Sequence, residues 1–219
     1  MIGNPVDYDN KFKDKFPVFP SHLDVELRRY IDLIPGKEIL DLEIGQGRNS
    51  IPLSEFGFNV TGVDYSKKYL ELCKNSSSNL NLIHSDIRKF DIAKNKYDLI
   101  LSTYVLHFFH KDDSYNIMNS IKQNLRNNGL VYIALFSKED PKFDKYLKSK
   151  DLEFLGNNIF HSVPNDTYIS FFDKGEILDI FNDFKTLYIS EEYSLEKSHD
   201  DNHYTGVIKY IGMKKKSSN

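Results

Sequence analysis

The sequence predicts an α/β fold: a three-layer α/β/α sandwich around a mostly parallel seven-stranded sheet that ends in an antiparallel hairpin. Three observations predict it. Between residues 38 and 136, short apolar runs alternate with helix-like patterns, the signature of strand-helix-strand units. Those runs are apolar on both faces, as strands covered by helices on each side must be. The last two strand-like runs, about 185–193 and 204–213, are joined by a short polar connection. A parallel crossover needs roughly a dozen residues or more, so these two are antiparallel neighbours. With 219 residues, 40% of them hydrophobic, the chain has enough material for one core and reads as a single domain.

Residues 1–35 form a lead-in and a first helix. The lead-in holds three prolines and the aromatics Tyr8, Phe12, Phe16 and Phe19. Ser21 is placed to cap a helix reaching about Ile34, because Leu23, Leu27, Tyr30, Ile31 and Ile34 recur at helical steps before Pro35-Gly36 stops the run. Residues 36–136 form the main unit. Glu38–Leu42 is its first strand, followed by a turn over Glu43–Gly47 and a helix to about Phe56 that Gly57 closes. Asn59–Asp64 is the second strand, and a helix capped by Ser66 runs to about Cys73. Asn81–His84 and Asp98–Ser102 are the third and fourth strands. A helix over 112–125, starting at Asp112 or Asp113, ends at the C-cap signal Asn127-Asn128-Gly129, and Leu130–Phe136 is the fifth strand. Residues 137–170 break the alternation and read as a loop-prone, variable segment. Residues 171–213 resume with a short helix over Lys174–Asn182 and the closing hairpin.

Composition excludes several classes. One cysteine, Cys73, leaves no disulfide framework and no CxxC redox or zinc motif. A net charge of −3 argues against nucleic acid or an anionic membrane as the main partner. No apolar run approaches the ~18 residues of a membrane span. The start, MIGNPVDYDN, has neither the basic onset nor the apolar core of a signal peptide, so the expected location is the cytoplasm.

The stretch from Ile39 to Ser50 carries the chemistry. A strand feeding a glycine turn and a helix start leaves backbone N–H groups free and lets a ligand approach the main chain. A dinucleotide site needs G-x-G-x-x-G, and here Ser50 stands at the third glycine. The pattern D-x-G-x-G-x-G fits better, with Asp41, Gly45 and Gly47 in place and Glu43 where the first glycine would stand. Asp64 closes the second strand 64 − 45 = 19 residues after Gly45, the spacing of a ribose-binding carboxylate, which can accept from two hydroxyls. Taken singly, Asp64 also suits a cap for the next helix, and Asp41 a strand-end cap.

Over residues 36–136 these motifs resemble the class I S-adenosylmethionine-dependent methyltransferases, whose sheet is Rossmann-like. Gly47-Arg48-Asn49-Ser50, Leu99–Thr103 and the later Phe171-Phe172 with Gly175-Glu176-Ile177 resemble the tellurite-resistance methyltransferases and their small-molecule relatives. The resemblance implies S-adenosylmethionine as cofactor. It puts the Asp41–Gly47 turn, with Glu43, Gly45 and Asn49 beside it, around the methionine part, and Asp41 near the amino group. Asp64 would take the ribose, with Tyr65 and Ser66 flanking the adenosine and Tyr65 stacked near the adenine. Asp86 would contact the adenine amino group, Ile87 would line its pocket, and Ser102 and Thr103 would face the reaction centre. Asn127-Asn128-Gly129 replaces the family's usual Pro-Gly-Gly. No Asn-Pro-Pro-[Tyr/Phe] motif follows the fourth strand, which argues against base-modifying amino-methyltransferases.

The expected reaction is methyl transfer to a small-molecule acceptor: a thiol, chalcogen oxyanion, hydroxyl or amine. Soft anionic acceptors need little base catalysis; a hydroxyl or amine needs a base. Candidate bases are His199, His203 and His107, with His110 beside the last; His199 lies roughly where the tellurite group carries a histidine implicated in catalysis. No tight ligand pair suggests a metal. Tyr8, Phe12, Phe160 and Tyr168 suit either an aromatic lid or hydrophobic sealing of the core edge. Two other readings use the same residues: an NAD-binding Rossmann oxidoreductase, and a non-catalytic S-adenosylmethionine-binding protein.

Overall fold

The structure is a computed structural model, and it describes residues 21–77, 79–196 and 203–216. Among the described residues, ten strands and six α-helices follow in order: α1 (Val25–Arg28), β1 (Glu38–Leu42), α2 (Ser50–Glu55), β2 (Asn59–Asp64), α3 (Lys67–Ser76), β3 (Leu80–His84), β4 (Leu99–Thr103), α4 (Lys111–Asn124), β5 (Leu130–Phe136), α5 (Lys142–Leu147), β6 (Glu153–Gly156), β7 (Ile159–Ser162), β8 (Thr167–Ser170), α6 (Lys174–Ile180), β9 (Phe184–Glu196) and β10 (His203–Lys214). Seven strands make one sheet in the order β3-β2-β1-β4-β5-β10-β9. The first five are parallel; β10 inserts antiparallel between β5 and β9, giving the predicted hairpin. The order reverses between β1 and β4, and in open α/β sheets the crevice beyond the carboxyl ends at such a point takes the ligand.

The side-chain alternation of the strands sorts the core into two layers. Leu40, Leu42, Ile100, Val131 and Ile133 point to the face covered by α4 (Ile117, Met118, Ile121) and α6 (Ile177, Phe181). Ile39, Val60, Leu99, Leu101, Leu130 and Tyr132 face α1 and α2 through Leu27 and Leu53. Asp41 lies in register with Leu101 on this second face, so its position in the strand is one that its neighbours fill with apolar groups.

The structure departs from the sequence reading in three places. The first helix is not one run from Ser21 to Ile34 but the four residues of α1 and a 3₁₀ turn over Ile31–Leu33. The reason is Asp24: it stands at the N-cap without capping the helix, and its carboxylate accepts from Arg48, Asn49 and Tyr132 instead. Second, α4 is capped by the His110 ring, which accepts from the Asp112 N–H at 3.3 Å, and not by an aspartate. Third, the segment 137–170 holds α5 and a three-stranded antiparallel sheet, β6-β7-β8, where loops were expected. Asn157 and Asn158, at φ 48° and 59°, make the two-residue turn between β6 and β7, a geometry in which both central residues take positive φ. Phe160 is fully buried with Phe136 and Phe171, and Tyr168 is buried against His161 and His110, so these two aromatics seal the edge of the core. Tyr8 and Phe12 lie outside the described residues.

Candidate functional site

The turn leaving β1 is built around positive backbone angles. Glu43, Gly45 and Gly47 have φ of 63°, 56° and 77°. The Glu43 and Ile44 N–H groups both donate to the Val63 carbonyl, which pins the turn to β2. At Gly47 a Cβ would sit 2.9 Å from Ile51 and 3.2 Å from the Cys73 sulfur, so only glycine fits between the turn, α2 and α3. At Gly45 a Cβ would meet nothing within 4 Å, so the main chain there borders open space. Glu43 holds a conformation that costs a non-glycine residue about 1–2 kcal/mol.

The half-buried Glu43 carboxyl lies in the field of Asp64 and Asp86 and near the Tyr65 N–H. Asp64 is itself buried at the end of β2, its Oδ2 accepting from the Gly45 N–H at 2.8 Å and its Oδ1 from the Ser66 N–H at 2.7 Å. Burial and then the charge of Asp64 push Glu43 well above the usual carboxylate range. Asp41 accepts from the Ser50 hydroxyl at 2.6 Å through Oδ2, while Oδ1 is buried with no hydrogen-bond partner among the described residues. Burial, opposed by Ser50 and reinforced by Asp64, raises Asp41 to about 7. The Cys73 thiol, donating to the Gly45 carbonyl at 3.1 Å, is driven to about 12 by burial and by Asp41 and Asp64. Among the described residues, Asp41, Glu43 and Asp64 make the crevice acidic.

The other predicted residues are placed as follows. Ser66 caps α3, accepting from the Tyr69 N–H. Tyr65 is exposed, its ring stacked 5.9 Å from His84. Asp86 is engaged by the Arg88 guanidinium, with Nη2 to Oδ2 at 2.6 Å; burial opposes ionisation, but Arg88 prevails and holds the carboxyl below its ordinary value. Ile87 is part of the core. Ser102 is buried at the end of β4 with its hydroxyl partnerless among the described residues, and Thr103 beside it is half-buried. Asn49 turns away from the crevice: it bonds Asp24 in both directions. His107 is buried, stacked 3.5 Å from Phe136, and its Nδ1 accepts from the Phe136 N–H; burial and Lys142 keep it well below its usual pKa, so it is neutral. His203 begins β10, opposite Glu196, and His199 lies outside the described residues.

Sequence reasoning missed a second polar group. Asp24 accepts from Arg48 at 3.1 Å and from the buried Tyr132 hydroxyl at 2.9 Å, while Arg48 lies 4.9 Å from the Tyr104 ring and shares a hydrogen bond with its hydroxyl. Tyr104 follows β4 at φ 61°. Arg48 was legible as part of the turn, but Asp24, Tyr104 and Tyr132 lie far from it in the chain, and no local spacing announces them. Among the described residues no cluster of His, Cys, Asp or Glu is arranged to hold a metal, and no helix is long and apolar enough to cross a membrane.

Asp41 Oδ1, without a partner among the described residues, the open space beside Gly45 and the carboxylate closing β2 suit an ammonium group and ribose hydroxyls, both of which S-adenosylmethionine carries. Residues 39–129 match the family described as a methyltransferase domain. The chain is 32% identical over 137 residues to the probable S-adenosyl-L-methionine-dependent methyltransferase TehB of Haemophilus influenzae, covering 60% of this chain and 47% of that protein. An uncharacterized methyltransferase of Alkaliphilus oremlandii is 22% identical over 203 residues, covering 91% and 87%. Among solved structures, Haemophilus influenzae TehB superposes with a TM-score of 0.69 at 20% identity over 95% of this chain and 66% of that one. A Burkholderia thailandensis 1,6-didemethyltoxoflavin N1-methyltransferase with bound S-adenosylhomocysteine gives 0.60 at 16% identity, over 85% and 75%. The chain spans about half the length of the TehB sequences it matches. Residues 39–129 thus carry a stretch that matches a methyltransferase domain, and the fold of the described residues resembles that of TehB.

Proposed function

We propose that the chain transfers a methyl group from S-adenosylmethionine to a small-molecule acceptor in the cytoplasm. The observation that carries this reading is the buried Asp41 Oδ1, partnerless among the described residues and next to the open main chain of Gly45. S-adenosylmethionine, when bound, supplies a methyl on a positively charged sulfur that is already a good leaving group. The residues have the simpler tasks of binding, aligning and excluding water. Asp41 would accept from the amino group, and a raised carboxyl becomes ionised when a cation binds it. Asp64 would accept from the ribose hydroxyls while its bonds to Gly45 and Ser66 keep it fixed. Ser102 and Thr103, at the carboxyl end of β4, would border the reacting sulfur.

Soft anionic acceptors such as thiolates or chalcogen oxyanions fit best. They need no proton removed, and the one described histidine near the end of β4 that sequence favoured, His107, is neutral, packed and already hydrogen-bonded. A net charge of −3 and the sequence Ser102-Thr103-Tyr104-Val105 at the end of β4 favour a small molecule over a nucleic-acid base. The test is a methyl-transfer assay with isotopically labelled S-adenosylmethionine against a thiol, a chalcogen oxyanion, a phenol and an amine. Transfer to the thiol or oxyanion that is lost in Asp41→Ala supports the reading. Cofactor binding with no transfer to any of the four would instead favour a binding protein.

A further inference from the structure

The family resemblance assigns Asp86 to the amino group of adenine. The residue follows β3 by two positions, and the Ser85 N–H donates to the Asp64 carbonyl at 3.0 Å, which fixes this loop beside the end of β2. The Asp86 carboxylate already has donors of its own. Oδ1 accepts from the Arg88 main-chain N–H at 3.0 Å and from Arg88 Nε at 3.0 Å. Oδ2 accepts from Nε at 3.1 Å and from Nη2 at 2.6 Å. The first of these bonds is the turn that an aspartate makes with the main chain two residues on, and the guanidinium closes onto the same carboxylate. An ionised carboxylate offers about four lone-pair sites, and these contacts occupy all of them. Bidentate, charge-assisted pairs of this kind are the strong ones. The Arg88 and Asp86 side chains are only 10% and 9% exposed, so a ligand has little access to the pair. The guanidinium is held on its other side as well, 3.9 Å from Asp113 of α4 and 5.3 Å over the Phe109 ring.

We infer that Arg88 occupies Asp86 so fully that the carboxylate takes no hydrogen bond from the adenine amino group, and that the crevice does not select on that group. The inference rests on the adenosyl reading of the crevice. Arg88 is in this sense a positioning residue, acting on ligand selectivity through Asp86. An adenosyl ligand without the amino group then loses nothing on binding, whereas removal of the guanidinium turns Asp86 into an acceptor that the amino group can use.

Calorimetry comparing S-adenosylhomocysteine with its deamino analogue, whose purine keeps every ring nitrogen, tests this. In wild type the two Kd values should agree within about threefold. In Arg88→Met, S-adenosylhomocysteine should bind about tenfold more tightly than the analogue or better, because its amino group now donates to a charged acceptor. Arg88→Lys keeps the charge but cannot fork across both oxygens, and should show a smaller preference of the same sign. General loosening of the loop weakens both ligands alike and leaves their ratio unmoved. A preference of about tenfold already present in wild type would overturn the inference, as would the absence of any preference in both variants. Binding of neither ligand would count against the adenosyl reading, and a ligand-free measurement separates the two failures. By NMR of the free protein, the Arg88 Nε–H, identified by its loss in Arg88→Lys, should exchange slowly with water in wild type and rapidly in Asp86→Ala. Rapid exchange in wild type would contradict the occupied carboxylate whether or not any adenosyl ligand binds.

Discussion

Two acid-centred clusters lie within one turn of each other and have opposite characters. Around Asp24, every buried group has a counterpart: Arg48, Asn49 and Tyr132 all donate to one carboxylate, and the Asp24 N–H is taken by Asn49. Around Asp41, Glu43 and Asp64, acids outnumber cations, one buried oxygen has no partner among the described residues, and acids are pushed up in pKa. Both involve the segment after β1, the first through Arg48 and Asn49 and the second through Glu43 and Gly45. The first ties α1 to the sheet, and its chemistry is complete. In the second, Asp41 Oδ1 has no partner among the described residues, and in the proposed reading a ligand's cation would supply one. Satisfaction of charge, more than burial, separates the structural cluster from the functional one.

The contrast predicts different consequences for similar substitutions. The largest effect on stability belongs to Asp24→Ala, which leaves the buried Tyr132 hydroxyl and the Arg48 guanidinium without their acceptor. About 2–4 kcal/mol is expected, seen as a fall in Tm of roughly 2–4 °C per kcal/mol for a chain of this size. A Tm within a degree of wild type would remove the claim that this cluster fastens α1. Asp64→Ala should act mainly on ligand, weakening S-adenosylhomocysteine binding by about 1.5–3 kcal/mol, or one to two decades in Kd. An unchanged Kd would show that the carboxylate serves only Gly45 and Ser66.

A pH titration of stability sharpens the contrast. A carboxyl whose folded pKa lies above its unfolded value binds more protons when folded, so its contribution is present at low pH and lost as pH rises through the folded value. For Asp41 the window runs from 3.8 to about 7, and Asp41→Asn should flatten the corresponding decline in stability measured by denaturant unfolding. An identical pH profile in the variant would count against a raised Asp41. The smallest difference lies within the two glycines. Both have positive φ, so each Gly→Ala change costs about 1 kcal/mol from the backbone. Gly47→Ala adds a collision with Ile51, whereas Gly45→Ala adds none. Gly47→Ala should therefore unfold at distinctly lower denaturant, and Gly45→Ala should lose more in ligand affinity than in stability.

The sheet was legible because its strands are continuous apolar runs; β5, buried at every position, is the plainest. The short antiparallel sheet over 153–170 was not, since its four-residue strands interleave polar groups and its turn uses Asn157-Asn158, without the glycine that usually marks such hairpins. In the site, Asp41, Gly45, Gly47 and Asp64 were found from spacing alone and do meet at one crevice. Spacing could not show that Asp64 is held by the Gly45 and Ser66 N–H groups, that Asp86 is already held by Arg88, or that Asn49 serves Asp24. Side-chain direction in a left-handed turn and pairing across distant elements leave no periodic trace in the sequence.

Calorimetric titration of the intact chain with S-adenosylhomocysteine addresses the crevice itself. The account predicts saturable binding at one site per chain, weakened by Asp41→Ala and by Asp64→Ala. No heat of binding at millimolar ligand, in a protein shown to be folded, would contradict it.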